Sequence, residues 1–217
     1  MIEETPKWGY ARWKNLVAVD GLIAHYALDG NTKDTGGMEN HSIYENTQWT
    51  DDKHGNPNSA IFMDGSEEFV SCPLQIGGLI MPQVTIIAWA RADSRGKFRH
   101  MIGMHHSRAI QIAGGWSARG KGGRWGLFGH RKLEVGEWVF LAVSYDEDTQ
   151  DATLRVNDEI FESKGNSFRG SSSFLLGGNG GHAPFKGAID EVRVYDRVLS
   201  KDELDELYQQ FLTGHAK

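Results

Sequence analysis

The sequence has little of several features that would define other classes of protein. It contains one cysteine and five prolines in 217 residues. The single cysteine, Cys72, cannot form an internal disulfide, which excludes a disulfide-based scaffold. No apolar run approaches the roughly 20 residues of a transmembrane helix, and the first residues lack the basic and apolar pattern of a signal peptide. We therefore predict no membrane span and no secretion signal in this sequence.

Glycine and aromatic residues are abundant instead. Glycine accounts for 27 residues, nearly twice the usual share of about 7%. Hydrophobic residues make up 39% and charged residues 24%, which suits one large folded domain and excludes intrinsic disorder. The combination of glycines and aromatics favours short strands joined by tight turns over a helical bundle.

Charge is distributed unevenly along the chain. The net charge is −6, yet residues 94–133 contain no Asp or Glu, nine Lys or Arg and four histidines. The remaining residues are 14 basic and 29 acidic, a net charge of −15. We call residues 94–133 the basic block. Its charges either mix with acidic neighbours on the folded surface or form an anion-binding face, and both interpretations stay open.

Strand-like alternation of apolar and polar residues dominates from Gly21 onward. About a dozen such runs lie at 22–28, 59–63, 69–72, 84–91, 98–104, 108–112, 124–128, 137–145, 151–156, 159–163, 173–177 and 187–195. Both faces of the run 137–145 are apolar, which predicts a central strand. Helical spacing appears only at 200–212, where Ser200 and Glu203 form a capping box before an apolar stripe.

A dozen strands without alternating helices cannot build a parallel sheet, because parallel neighbours need crossover connections of about a dozen residues or more. The stable alternative is two antiparallel sheets packed face to face. We therefore predict an all-β fold, a two-sheet antiparallel jelly-roll β-sandwich with one short C-terminal helix.

Three segments of the chain carry a family resemblance. They are LIAHYALDGNTKDTGGMEN at 22–40 with HGNPNSAIFMDGSEEFVSCP at 54–73, GEWVFLAVSYDEDTQDATLRVND at 136–158, and FKGAIDEVRVYDRVLSKDEL at 185–204. In this order they resemble the opening, the central hairpin and the closing strand of a laminin-G-like domain of the concanavalin A-like lectin/glucanase superfamily. The resemblance implies a jelly roll at 21–212, an N-terminal arm at 1–20 and a tail at 213–217.

The resemblance is specific for fold and not for function, since this architecture hosts glycan-binding modules, adhesion domains, hydrolases and lyases. It implies an extracellular or cell-surface location. The chain is either a whole protein or part of a larger multidomain protein, and both alternatives stay open.

The resemblance also implies a structural calcium ion where the first and last strands meet. The matching positions are Asp29, Asp34 and Asp190. The loop 29–34 offers carboxylates, an amide and backbone carbonyls, which suit a hard cation with six to eight oxygen ligands. Lys33 departs from an ideal site, and Asp29 and Asp34 are equally typical of turn caps.

The basic block interleaves cations with aromatic rings. Indole faces stack on sugar rings, and arginine binds carboxylate or sulfate through two hydrogen bonds. We therefore predict an acidic-glycan site formed by Trp116, Arg119, Lys121, Arg108, His105, His106 and Trp125. Trp125 lies in an alternating run, which is more typical of a core residue. Trp89 and Trp138, in the most apolar strands, are predicted to be core residues.

The glycine-rich stretch 114–123 predicts a mobile loop that presents Trp116, Arg119 and Lys121 to the ligand. The alternative is that Trp116 is a buried lid at the edge of the sandwich. Exposure of the Trp116 ring distinguishes the two.

No catalytic motif is present. The paired-carboxylate strand of jelly-roll hydrolases is absent, and the nearest acidic pair, Asp190 and Glu191, coincides with the closing strand. A lyase would need a base and a group that neutralises a uronate, for which Gln111, His105, His106 and Arg108 are candidates.

We therefore predict a non-catalytic carbohydrate-recognition module that binds a polysaccharide, with a preference for uronate or sulfated glycans. The alternatives are a polysaccharide lyase or glycoside hydrolase of the same fold, and a protein-binding adhesion domain with an exposed apolar patch. Nucleic acid is not an expected partner, because the domain is acidic and has no recognised nucleic-acid-binding motif.

Overall fold

A computed structural model describes residues 20–96, 99–104, 107–120, 126–165, 173–178 and 184–213. Within these residues the chain forms fifteen strands followed by one helix. No helix in the described part of the chain is long and apolar enough to cross a membrane.

The strands are short and follow one another closely. They are β1 (Leu22–Tyr26), β2 (Tyr44–Asn46), β3 (Gln48–Thr50), β4 (Ala60–Asp64), β5 (Phe69–Cys72), β6 (Gln83–Ala92), β7 (Arg99–Met104), β8 (Ala109–Ile112), β9 (Gly115–Arg119), β10 (Leu127–Lys132), β11 (Trp138–Asp146), β12 (Asp151–Val156), β13 (Glu159–Ser163), β14 (Phe174–Leu176) and β15 (Lys186–Tyr195). The helix α1 spans Lys201–Thr213.

The strands form two antiparallel sheets. Sheet A has eight strands in the order β13-β12-β11-β6-β15-β4-β3, with β1 paired to β15. Sheet B has seven strands in the order β10-β9-β8-β7-β14-β5-β2. The predicted all-β jelly-roll sandwich with one C-terminal helix is confirmed.

Strand β11 shows how the sheets divide the apolar residues. It pairs with β12 on one side and β6 on the other, so the predicted central position is confirmed. Val139, Leu141 and Val143 face the core between the sheets. Phe140 faces the opposite side of sheet A, where a second apolar cluster lies. A strand that is buried on both faces needs this two-sided apolar pattern.

Helix α1 covers the second cluster. Its buried residues Leu204, Leu207 and Phe211 pack with Trp89 and Phe140 of sheet A. The predicted capping box is present: the Glu203 backbone N–H donates to Ser200 Oγ at 3.3 Å, and the Ser200 backbone N–H donates to Glu203 Oε2 at 2.8 Å. Both bonds satisfy backbone donors that the first helical turn leaves unpaired.

A buried polar chain joins the first strand to the last. Strand β15 has a bulge at Glu191, whose φ is 51°, and the bulge directs its carboxylate towards β1. The His25 Nε2 atom lies 2.7 Å from Glu191 Oε2, and Arg193 Nη2 lies 3.1 Å from the same oxygen. Burial lowers the pKa of His25, and the Arg193 charge lowers it further. The Glu191 carboxylate therefore accepts hydrogen bonds from both the His25 ring and the Arg193 guanidinium.

Three strands of the sandwich were not predicted from the sequence. Strands β2 and β3 have three residues each, too few for alternation to be recognised, and only Thr47 separates them. Strand β9 lies in the glycine-rich stretch that predicted a loop.

Candidate functional site

The predicted glycan site in the basic block divides into two sets of residues. Lys121, His105, His106 and Trp125 lie outside the described residues. Trp116, Arg108 and Arg119 are described, and all three side chains are buried, with at most 5% of their surface exposed.

The prediction that Trp116 sits exposed on a mobile loop is wrong. Trp116 belongs to β9, pairs with Ile112 of β8 and is fully buried in the core between the sheets. Glycine serves a different purpose here, because a Cβ atom on Gly115 would lie 2.5 Å from the carbonyl oxygen of Arg131 on the neighbouring strand. Gly115 therefore permits a close approach of β10 and does not confer loop mobility.

Arg108 holds a turn together. Its guanidinium donates hydrogen bonds to the carbonyl oxygens of Ile76 at 2.7 Å, Met81 at 2.5 Å and Pro82 at 2.9 Å. The side chain is fully buried, so it presents no charge to a glycan. Gln111, named above for a lyase, is also buried.

In the described part of the basic block, some cations pair with acidic residues, which agrees with the first interpretation of its charge. Arg131 lies 3.1 Å from Glu137 and 3.0 Å from Glu159. Arg95 and Lys132 both pair with Glu134. Three basic side chains of the block therefore have acidic partners within the same domain.

The three predicted calcium ligands do not come together. Among the described residues no group of three His, Cys, Asp or Glu side chains could hold a metal ion. Asp29 is exposed, whereas Asp34 and Asp190 are buried. No shared calcium site is evident within the described residues, and a structural calcium ion stays a prediction.

Asp34 instead organises the loop between β1 and β2. Its Oδ1 accepts backbone N–H bonds from His25 at 2.8 Å and Gly36 at 2.7 Å, and its Oδ2 accepts one from Asn40 at 2.9 Å. The Asp34 backbone N–H donates to His41 Nδ1 at 3.1 Å. The carboxylate therefore fixes both the near and the far limb of the loop to β1.

This loop and the strand that follows it form an open pocket at the edge of the sandwich. The pocket has a volume of about 380 Å³ and is lined by residues 31–33 and 41–45. Strand β2 is the last strand of sheet B in the described part of the chain, so no other described strand pairs with its outer edge. We call this pocket the edge pocket.

Tyr44 provides an aromatic surface in the edge pocket. Its side chain is 50% exposed, and its ring stacks on Phe69 of β5 with the ring centroids 4.8 Å apart. Because Phe69 supports one face of the ring, the ring is held in place while the rest of it stays accessible. A fixed, half-exposed aromatic ring is the type of surface on which a sugar stacks.

Polar groups surround this ring. Lys33, His41 and Glu45 are exposed. His41 accepts the Asp34 N–H at Nδ1, so its proton is on Nε2, which can donate to a ligand. Glu45 accepts a hydrogen bond from the Thr32 hydroxyl.

The edge pocket was not predicted from the sequence. Tyr44 lies in a three-residue strand with no alternation, and Phe69 is 25 positions further along the chain. The available signal was the run of polar residues around one aromatic at 39–46, a segment for which no ligand site was predicted.

Known structures share this fold. Domain 4 of AbnA, an extracellular GH43 arabinanase from Geobacillus stearothermophilus, was solved in complex with arabinotriose; its TM-score is 0.67 at 23% identity, over 87% of this chain and 98% of that one. A Trypanosoma rangeli sialidase has a TM-score of 0.70 at 13% identity, over 94% of this chain and 39% of its own. The binding domain of Paraclostridial Mosquitocidal Protein 1 has a TM-score of 0.68 at 14% identity, and the alignment covers 89% of this chain and 53% of that one.

The family assignment comes from the sequence. No curated protein matches the chain. A family model described as the concanavalin A-like lectin/glucanases superfamily matches residues 78–205, from the turn before β6 into α1. This match covers more than half of the chain, and it agrees with the resemblance seen in the motifs. The chain therefore belongs to the concanavalin A-like lectin/glucanases superfamily.

Proposed function

We propose that this protein is a non-catalytic carbohydrate-recognition module and that its glycan binds in the edge pocket. The observation that carries the proposal is Tyr44, a half-exposed ring seated on Phe69 and surrounded by polar side chains. The shared fold with AbnA domain 4, whose structure contains arabinotriose, supports it. By the same analogy we propose that the domain acts outside the cell, within a longer protein.

We further propose that the pocket prefers acidic glycans. Lys33 brings a positive charge, and the His41 Nε2–H is a hydrogen-bond donor, so both can bind a carboxylate or sulfate oxygen. Glu45 is the one acidic side chain in the lining, and its carboxylate accepts the Thr32 hydroxyl. The proposed site for acidic glycans is therefore the edge pocket and not the basic block.

A glycan array followed by calorimetric titration tests the binding function. Tyr44→Ala should remove about 1 kcal/mol or more of binding free energy, because it removes the stacking surface. Tyr44→Phe keeps the ring and should retain most of the affinity. Equal affinities for wild type and Tyr44→Ala would contradict the assignment of the site, and an array with no bound glycan would contradict the function.

Salt dependence tests the acidic preference. Exposed charges are screened over about 10 Å at 0.1 M ionic strength, so affinity for a uronate polymer should fall steeply as salt rises. Lys33→Gln should flatten this dependence. A neutral glycan that binds equally well and without salt dependence would argue against the preference while leaving the function intact.

Calcium is tested separately. If the folded domain binds the ion, excess chelator should lower the melting temperature, because a ligand bound only by the folded state stabilises it. Asp34→Asn alone would not decide the question, since Asp34 also holds backbone N–H groups. An unchanged melting curve in chelator would reject a structural calcium ion.

A further inference from the structure

The size of the edge pocket limits what part of a glycan it can accept. Ligand pockets in proteins measure about 300 to 1,000 Å³, and this one measures about 380 Å³. Its lining comes from two short runs, residues 31–33 and 41–45, that lie close together along the chain. A site at the lower end of the range encloses roughly one or two sugar rings.

The number of stacking surfaces points the same way. Tyr44 is the one aromatic residue in the pocket lining, and no other aromatic side chain among the described residues is as exposed. Phe69 supports Tyr44 from one side. A site that binds the interior of a polysaccharide gains affinity when successive sugar rings stack on successive aromatic side chains. The described surface offers one such side chain.

The base of the pocket is closed by hydrogen bonds between its two limbs. Thr32, which is 4% exposed, lies on the first limb, and its Oγ1 is 2.5 Å from Ser42 Oγ on the second. The same hydroxyl contacts the Glu45 carboxylate, and the Ser42 backbone N–H donates to the Thr32 carbonyl oxygen at 3.4 Å. A ligand therefore enters from the open side and meets a closed base.

We infer that the edge pocket, if it binds glycan as proposed above, binds the terminal sugar of a chain and not an internal segment. The terminal ring stacks on Tyr44 with its hydroxyl or acidic groups towards Lys33, His41 and Glu45, and the following sugars extend into solvent. This assigns the domain to the ends of polysaccharides and to short oligosaccharides.

Titration against chains of increasing length tests this inference. The probes are galacturonate oligomers (mono-, di-, tri- and hexasaccharide) with polygalacturonate, and the same lengths of arabinan oligomers with linear arabinan as the neutral series. Beyond the disaccharide, affinity expressed per chain end should rise by less than about threefold. The stoichiometry on the polymer should equal the number of chain ends. Tyr44→Ala should reduce the affinities for disaccharide and polymer by the same factor.

The outcomes separate this inference from the function on which it rests. An affinity that rises about tenfold or more from disaccharide to hexasaccharide, with several protein molecules bound along each polymer chain, overturns end recognition and leaves glycan binding standing. A loss in Tyr44→Ala that shrinks as the chain lengthens also overturns it, because additional sugar sites must then exist. If neither series binds the wild-type protein, the proposed function fails and the inference fails with it.

Discussion

Two segments that contain aromatic and basic residues, 108–119 and 31–45, occupy contrasting places in the sandwich. The first has the composition of a glycan site, yet Trp116 and Arg108 are fully buried. The second has a single aromatic ring, Tyr44, and that ring is half exposed. Composition therefore does not decide which aromatic residue can meet a ligand.

The difference arises from the position of the strands in sheet B. Strands β8 and β9 have paired neighbours on both sides, and one face of each packs into the core. Strand β2 is the last of the described strands in the sheet, so none of them pairs with its outer edge. An edge strand leaves polar groups and side chains accessible, whereas an interior strand contributes mainly to packing.

The largest expected effect is the loss of stability in Trp116→Ala. Removing a fully buried indole should cost about 3 to 5 kcal/mol of the free energy of unfolding, through lost burial and the cavity left behind. Denaturant unfolding measures it. Tyr44→Ala, the matched variant in the edge pocket, should leave stability nearly unchanged. If Trp116→Ala instead kept full stability and lost glycan affinity, the contrast between the two segments would be reversed.

A smaller loss is expected for Arg108→Met. The methionine keeps most of the side-chain volume but leaves the carbonyl oxygens of Ile76, Met81 and Pro82 without their buried donor, which should cost about 2 to 3 kcal/mol. Arg95→Met is the control from the same basic block, because Arg95 forms an exposed ion pair with Glu134. Similar stability for the two variants would mean that Arg108 does not hold the turn.

A pH effect is expected from His25, whose backbone N–H donates to Asp34 in the loop that contributes the lining of the edge pocket. Burial, reinforced by Arg193, lowers the pKa of His25 below its usual 6.5, against the opposing effects of Glu191 and Asp34. Below pH 6.5 the unfolded chain therefore binds a proton that the folded state excludes, so stability should fall as pH falls. The slope is at most about 1.4 kcal/mol per pH unit for one proton.

The His25→Gln variant isolates this contribution from the other histidines. Glutamine can still donate to Glu191 but does not titrate, so the variant should lose stability less steeply than wild type below pH 6.5. Unfolding by urea at several pH values compares the two. Parallel curves for wild type and variant would show that His25 does not contribute.

The smallest expected effect concerns the support beneath Tyr44. Phe69→Leu keeps an apolar contact but removes the stacked ring, so the Tyr44 ring should be held less firmly. Glycan affinity should fall by less than the loss of about 1 kcal/mol or more expected for Tyr44→Ala. Titration of both variants with the same glycan shows which one loses more affinity. A larger loss in Phe69→Leu would indicate that the glycan contacts position 69 directly.

Much of the fold could be predicted because its signals are local. Alternation predicted β11 as a central strand with two apolar faces, and similar runs predicted β6 and β12, the strands on either side of it. The Ser200–Glu203 capping box located the start of α1 within one turn. The glycine-rich stretch misled because glycine permits both loop mobility and close strand approach, and Gly115 serves the second purpose against Arg131.

The sequence by itself therefore determined most of the strands, the helix and the two-sheet architecture, since a two-residue period and a capping box act over a few neighbouring residues. Only the tertiary structure decided which aromatic rings are accessible. Trp116 is buried because its side chain packs into the core between the sheets. Tyr44 lies on the last described strand of sheet B, where its ring stacks on Phe69 from a distant strand and stays half exposed. Exposure depends on which segments of the chain become neighbours, and no local pattern contains that information.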